Sequence, residues 1–149
     1  MLKSKRIVSM LLAMVMALSI GCVGAFADEG KGSGIVVPQS SSLALEVTLS
    51  SVNGSENHAF TVTSAEPYFK VWIQNTSTAI YKVRVTEGST SGPQAGYTTV
   101  SPGTPGRIYS NGPVSAGTYW VSVNSVGGSP LSGPLAVRIA STEGDLGKK

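Results

Sequence analysis

The chain has two tryptophans, Trp72 and Trp120, and each falls on the polar side of an alternating run. In residues 68–74, Phe69, Val71 and Ile73 alternate with Tyr68, Lys70, Trp72 and Gln74. In residues 118–125, Tyr119, Val121 and Val123 alternate with Thr118, Trp120, Ser122 and Asn124. If the apolar members of each run face a core, a period of two turns both indoles outward. A large ring set among Lys, Gln, Asn and Ser offers apolar area with little conformational entropy to lose, which suits the C–H face of a sugar. Gln74 and Asn124 supply amides that can bond hydroxyls. Tyr68, Trp72, Gln74, Trp120 and Asn124 are therefore the candidate ligand-binding residues, and a ligand site is expected on the outer face bearing Tyr68, Trp72 and Trp120. The strand period alone does not say whether the two tryptophans share a sheet. The competing reading is structural cover, with the indoles leaning on arginine stems such as Arg84 or Arg138.

Other chemistry is sparse. One histidine, His58, stands beside a turn and reads as a solvated surface group. Four of the glutamates, Glu46, Glu56, Glu66 and Glu87, are scattered along the chain, and the two aspartates, Asp28 and Asp145, lie in the two tails. A pair of these carboxylates could converge as a glycosidase-like acid and base, but solvated surface positions are their usual fate. No G-x-S-x-G stretch supports a serine nucleophile. A single histidine cannot furnish a zinc site, and no carboxylate cluster suggests calcium. No catalytic residue, metal or cofactor is expected. Asn53-Gly54-Ser55 and Asn75-Thr76-Ser77 match the N-glycosylation acceptor, although both lie at turns for structural reasons.

Residues 1–27 differ from the rest. Lys3, Lys5 and Arg6 precede an apolar run that ends at Ala25-Phe26-Ala27, the pattern of a secretory signal peptide with cleavage after Ala27. The net charge of +3 and pI of about 9.1 belong to this precursor. Without the signal, eight basic residues balance eight acidic ones, so the basicity argues for no nucleic-acid partner. The single cysteine, Cys22, falls inside the signal region and leaves the mature chain without a disulfide. Cys22 after Gly21 also permits a lipidated N-terminus, a reading weakened by Ser19 where a leucine is usual. No membrane span is expected in the mature protein.

Residues 28–42 form a Gly/Ser-rich leader, 43–141 a β domain, and 142–149 a charged tail. Strands are expected over 43–52, 59–64, 68–74, 79–86, 97–100, 106–110, 118–125 and 131–140, separated by Gly, Pro, Asn and Ser. Leu43, Leu45, Val47 and Leu49 should share the inward face of the first. Residues 68–86 read as a central β-hairpin closed by a polar turn at 75–78. Gly-Pro recurs at Gly92, Gly112 and Gly133, which reads as turn punctuation rather than an internal repeat. The absence of a helical period and the short, evenly spaced strands predict an all-β antiparallel sandwich of about seven or eight strands.

The segment Ser115-Ala116-Gly117-Thr118-Tyr119-Trp120-Val121-Ser122-Val123 resembles a strand of secreted bacterial β-sandwich modules, the pre-peptidase C-terminal domains among them. Phe60 and residues 69–73 are loosely similar to earlier strands of such modules. The resemblance implies a non-catalytic appendage of the kind found on secreted hydrolases, some of which bind calcium, polysaccharide or collagen. This chain departs from it in lacking aspartates where calcium would be held. Together these features predict a secreted or cell-wall-associated bacterial protein that is not an enzyme. It is expected to act as a polysaccharide- or cell-wall-binding module or, alternatively, as a structural component that meets a cell-surface or matrix protein through its sheet edges.

Overall fold

The computed structural model describes residues 40–148; the expected signal peptide, Cys22 and most of the expected Gly/Ser leader lie outside them. Eight strands follow in order: β1 (Ser41–Leu49), β2 (Ser55–Val62), β3 (Tyr68–Gln74), β4 (Tyr81–Glu87), β5 (Gln94–Val100), β6 (Pro105–Tyr109), β7 (Gly117–Ser125) and β8 (Gly133–Ala140). They form two antiparallel sheets of four, ordered β1-β8-β3-β6 and β2-β7-β4-β5. The pairs β1–β8, β2–β7, β3–β6 and β4–β5 are those of one long hairpin folded over on itself, the jelly-roll form of a β-sandwich. The pairs β3–β8 and β4–β7 join its turns into sheets.

This topology corrects one expectation. β3 and β4 do not pair, because they belong to different sheets, and among the described residues the sole hairpin of consecutive strands is β4–β5. Alternation on either side of a polar break is common to a hairpin and to a crossing between sheets. Asn75 makes it a crossing. It is fully buried, its Nδ2 donates to the carbonyls of Ala79 (2.8 Å) and Val100 (2.9 Å), and its Oδ1 accepts from the backbone N–H and hydroxyl of Ser77 (3.0 and 2.9 Å). A residue read as an exposed turn is thus the polar hub of an inter-sheet corner, satisfied on every side as a buried amide must be. That burial also leaves the Asn75 amide inaccessible as a glycosylation acceptor.

The core lies between the sheets. Phe69, Val71 and Ile73 of β3 and Leu135, Val137 and Ile139 of β8 meet Phe60, Val62, Tyr81, Val83, Val85, Tyr119, Val121 and Val123 from the other sheet. Phe60, Phe69 and Tyr119 form an aromatic cluster with ring centroids 5.6–5.9 Å apart. Toward the other end the Tyr81 hydroxyl donates to Ser132 O and accepts from Ser132 N. Gly106 faces Val100 and Ile73 so closely that a Cβ there would overlap both side chains.

Each of the four edge strands carries a feature that discourages pairing with another sheet. β1 has a bulge between Leu43 and Leu45, which moves Leu43 to the outer face opposite Arg138, where it is half-exposed rather than inward as expected. β5 has a bulge between its partners of Val85 and Thr86. β6 spans only five residues and opens with Pro105. On β2, Glu56 and His58 occupy inward positions opposite Val123 and Val121. After β8 the chain turns back in a 3-10 turn, Gly144–Leu146, that buries Leu146 against β8 and β3.

Candidate functional site

β3 is an interior strand, so its outward residues are flanked on both sides. Trp72 is half-buried, opposite Ala136 on β8 and Arg107 on β6. In the neighbouring row Lys70 stands between Arg138 and Tyr109. Ala136 is short, so it leaves space beside the indole, and the result is an open cleft of about 310 Å³ lined by Lys70, Trp72, Arg107, Ala136 and Arg138. Gln74 lies one step along β3 on the same face, opposite Pro105 on β6, and Tyr68 lies at the far end of the strand.

Two of the three cations of this cleft have neutral partners. Lys70 Nζ donates to Leu146 O at 3.0 Å and lies 5.3 Å from the centre of the Tyr109 ring. Arg138 donates to the Ser41 hydroxyl at 3.1 Å. Arg107 is exposed and has no hydrogen-bond or ion-pair partner among the described residues. The nearby acids of the C-terminal turn are engaged elsewhere: Glu143 pairs with Lys148 at 3.0 Å, and Asp145 accepts from Thr142 at 2.7 Å. Glu46 is the remaining carboxylate on this face, at the β1 edge opposite Ala136.

Trp120 and Asn124 belong to the other sheet, so the expected single face bearing Tyr68, Trp72 and Trp120 does not exist. The outer surfaces of a sandwich point in opposite directions, and no small ligand reaches both. Trp120 lies between Ala59 on β2 and Thr86 on β4. It is half-buried, and its Nε1 is shielded without a hydrogen-bond partner, as is the hydroxyl of neighbouring Ser122. Asn124 Oδ1 accepts from Ser55 Oγ at 2.8 Å. The structure thus brings Tyr68, Trp72 and Gln74 together on β3 and separates Trp120 and Asn124 from them.

Sequence reasoning passed over the pair Glu56–His58. His58 is not a free surface group: its Nε2 lies 2.8 Å from Glu56 Oε2, and both side chains are largely buried. Glu56 Oε1 accepts from the backbone N–H groups of Ser50 (2.6 Å) and Ser51. Burial pushes the Glu56 carboxyl up, but those two N–H groups together with His58 outweigh it and hold the group below its ordinary value. The i, i+2 spacing on β2 was the available signal, since it places both side chains on the face carrying Phe60 and Val62. The pair ties down the β1–β2 turn, with Glu56 Oε1 on two backbone N–H groups and Oε2 on His58. Among the described residues no group of three His, Cys, Asp or Glu side chains is placed to hold a metal ion. Nor is any described helix long and apolar enough to cross a membrane.

No protein-family model matches this chain, and no curated protein does. Among solved structures it is similar to the pre-peptidase C-terminal domain of a Bacillus anthracis collagenase, the kind of module that residues 115–123 resemble. That similarity has 17% identity and a TM-score of 0.47, covering 63% of this chain and 86% of that one. It is also similar to a protein of Bacillus endospore appendages, described as a novel family of disulfide-linked pili. There the identity is 8% and the TM-score 0.45, with 74% of this chain and 99% of that one covered.

Proposed function

We propose that this protein is a secreted, non-catalytic binding module that holds a polysaccharide on the outer face of the β1-β8-β3-β6 sheet. The cleft beside Trp72 carries this reading: a half-buried indole, a short neighbour that opens its side, and polar groups around it. Its volume of about 310 Å³ is at the small end of ligand clefts, room for roughly one or two sugar rings. Trp72 is the stacking ring, Gln74 an adjacent hydrogen-bonding group and Tyr68 a more distant aromatic. Trp120 and Asn124 act as structural cover on the opposite sheet.

The alternative, a structural component that associates through its sheet edges, is weakened by the bulges of β1 and β5, the shortness of β6 and the inward charges of β2. A pull-down of the mature protein on insoluble peptidoglycan, cellulose and chitin tests the proposal, with Trp72→Ala and Trp120→Ala examined singly. Binding that is lost with Trp72→Ala and kept with Trp120→Ala is the expected result. Equal loss in both variants, or retention in both, would remove Trp72 from the role given to it.

A further inference from the structure

Lys70 and Arg138 are direct cross-strand partners at the centre of a sheet. Like charges placed so repel and cost stability. Arg107 stands on the same face, one row away on β6, beside Trp72. Three cations therefore line one cleft together with an indole and an alanine, and no carboxylate lines it. Their protein partners are a carbonyl, a hydroxyl and an aromatic ring, none of which carries a negative charge. The opposite sheet shows that this arrangement is not imposed by the fold. There Lys82 and Arg84 both come from β4 and face Asn124, Thr99, Ser122 and Tyr97 across the ladder, with no like-charge cross-strand pair. Among the described residues a like-charge cross-strand pair occurs once, and it lies at the cleft.

We propose that the cleft binds an acidic glycan, a polymer whose sugar rings or polyol units carry carboxylate or phosphate. This rests on the glycan-binding reading of the Trp72 face and names the class of glycan. The anion would lie among Arg107, Lys70 and Arg138 while a ring packs on Trp72. Arg107 is the principal anchor: its planar fork has no partner to give up among the described residues and matches carboxylate or phosphate oxygens bidentately. Lys70 and Arg138 are tethered by neutral bonds that hold their charges at the cleft without neutralising them. An anion in the cleft also relieves the Lys70–Arg138 repulsion, so binding should raise the melting temperature. Although the mature chain is balanced overall, the concentration of positive charge at one cleft makes the attraction sensitive to salt.

The experiment compares polygalacturonate, a glycerol-phosphate polymer, a neutral glucan of matched length and duplex DNA, using titration calorimetry and thermal shift on the mature protein. Arg107→Gln is the test variant and Arg84→Gln, on the opposite sheet, the control. At least one of the two acidic polymers should bind on the order of tenfold more tightly than the neutral glucan and raise the melting temperature. Arg107→Gln should cost on the order of tenfold, Arg84→Gln should change nothing, and raised salt should weaken the interaction. Which acidic polymer binds distinguishes a carboxylate from a phosphate source. Equal affinity for the neutral glucan, with binding still dependent on Trp72, would overturn this inference and leave the glycan-binding function standing. Equal affinity for DNA, or equal loss in the two arginine variants, would show general polyanion attraction and overturn it. Failure to bind any polymer would overturn the inference and the function together.

Discussion

The two outer faces of this sandwich make a controlled comparison. Each presents one tryptophan from an interior strand, Trp72 from β3 and Trp120 from β7, flanked on both sides by other strands. Around Trp72 the neighbours are Ala136, Arg107, Lys70 and Arg138, and an open cleft results. Around Trp120 the neighbours are Ala59, Thr86 and Ser122, and the indole nitrogen is shielded without a partner. The difference comes from the partner strands. Beside Trp72 the short Ala136 stands among three long cations and an open recess results, whereas Trp120 is flanked by Ala59 and Thr86 and its nitrogen is shielded. An outward aromatic is thus a site or a cover according to residues distant from it in sequence.

The crossing at Asn75 is what assigns the tryptophans to different faces, and disrupting it should have the largest effect. Asn75→Ala removes two donated and two accepted hydrogen bonds in a fully buried corner. It should cost about 3–4 kcal/mol in urea unfolding, since the carbonyls of Ala79 and Val100 lose their side-chain donor. A loss below about 1 kcal/mol would show that the corner does not depend on this side chain.

Beneath both faces the core is shared, so Val71→Ala under Trp72 and Val121→Ala under Trp120 should cost similar amounts, about 2–3 kcal/mol each. Lys70→Ala and Ser122→Ala, outward on the same strands, should stay within about 0.5 kcal/mol. Lys70→Ala removes a like-charge neighbour, and Ser122→Ala deletes a buried hydroxyl that has no partner among the described residues, so within that range the expected sign of each change is stabilising. A much larger cost on one sheet than on the other would mean that the two faces rest on different foundations.

The tryptophans themselves should separate by less. Trp120→Ala should cost about 2 kcal/mol by exposing its packed surroundings, and Trp72→Ala less than about 1 kcal/mol. In the matching single-tryptophan proteins, acrylamide should quench Trp72 more strongly than Trp120. Equal quenching would erase the contrast between cleft and cover.

The smallest effect concerns acid. Because the Glu56 carboxyl is held below its ordinary value in the folded protein, its contribution to stability is fully present above the unfolded carboxylate range and is lost as pH falls through the folded value. Stability should therefore begin to fall below about pH 5. Glu56→Gln should lose that part of the acid dependence while leaving polymer binding at neutral pH untouched. An acid profile identical to wild type would place the titration elsewhere.

Most of the strands were legible because burial on one face leaves a period-two trace, and turn residues mark the ends. The eight strands expected from alternation correspond to the eight observed, with shifted limits where the chain is locally ambiguous. β5 begins at Gln94, inside a Gly-rich stretch that reads as loop, and β2 begins at Ser55 because Glu56 and His58 are polar residues on an inward face. The Leu43 error has a similar origin: a bulge inserts one residue, and strict alternation cannot register it. Which residues on β3 and β7 face outward was therefore available from the sequence, and so were the identities of Trp72 and Trp120 as candidates.

The sequence by itself determined the fold class, the inward face of most strands and the scarcity of catalytic groups, because those depend on local period and on composition. Only the tertiary structure decided which strands lie side by side. Strand pairing joins residues far apart in the chain: Trp72 meets Arg107 and Ala136, and Lys70 meets Arg138. No local pattern encodes those meetings, since many strand orders bury the same apolar faces. The jelly-roll order chose one of them, and in doing so it divided the two tryptophans and gathered three cations around the first.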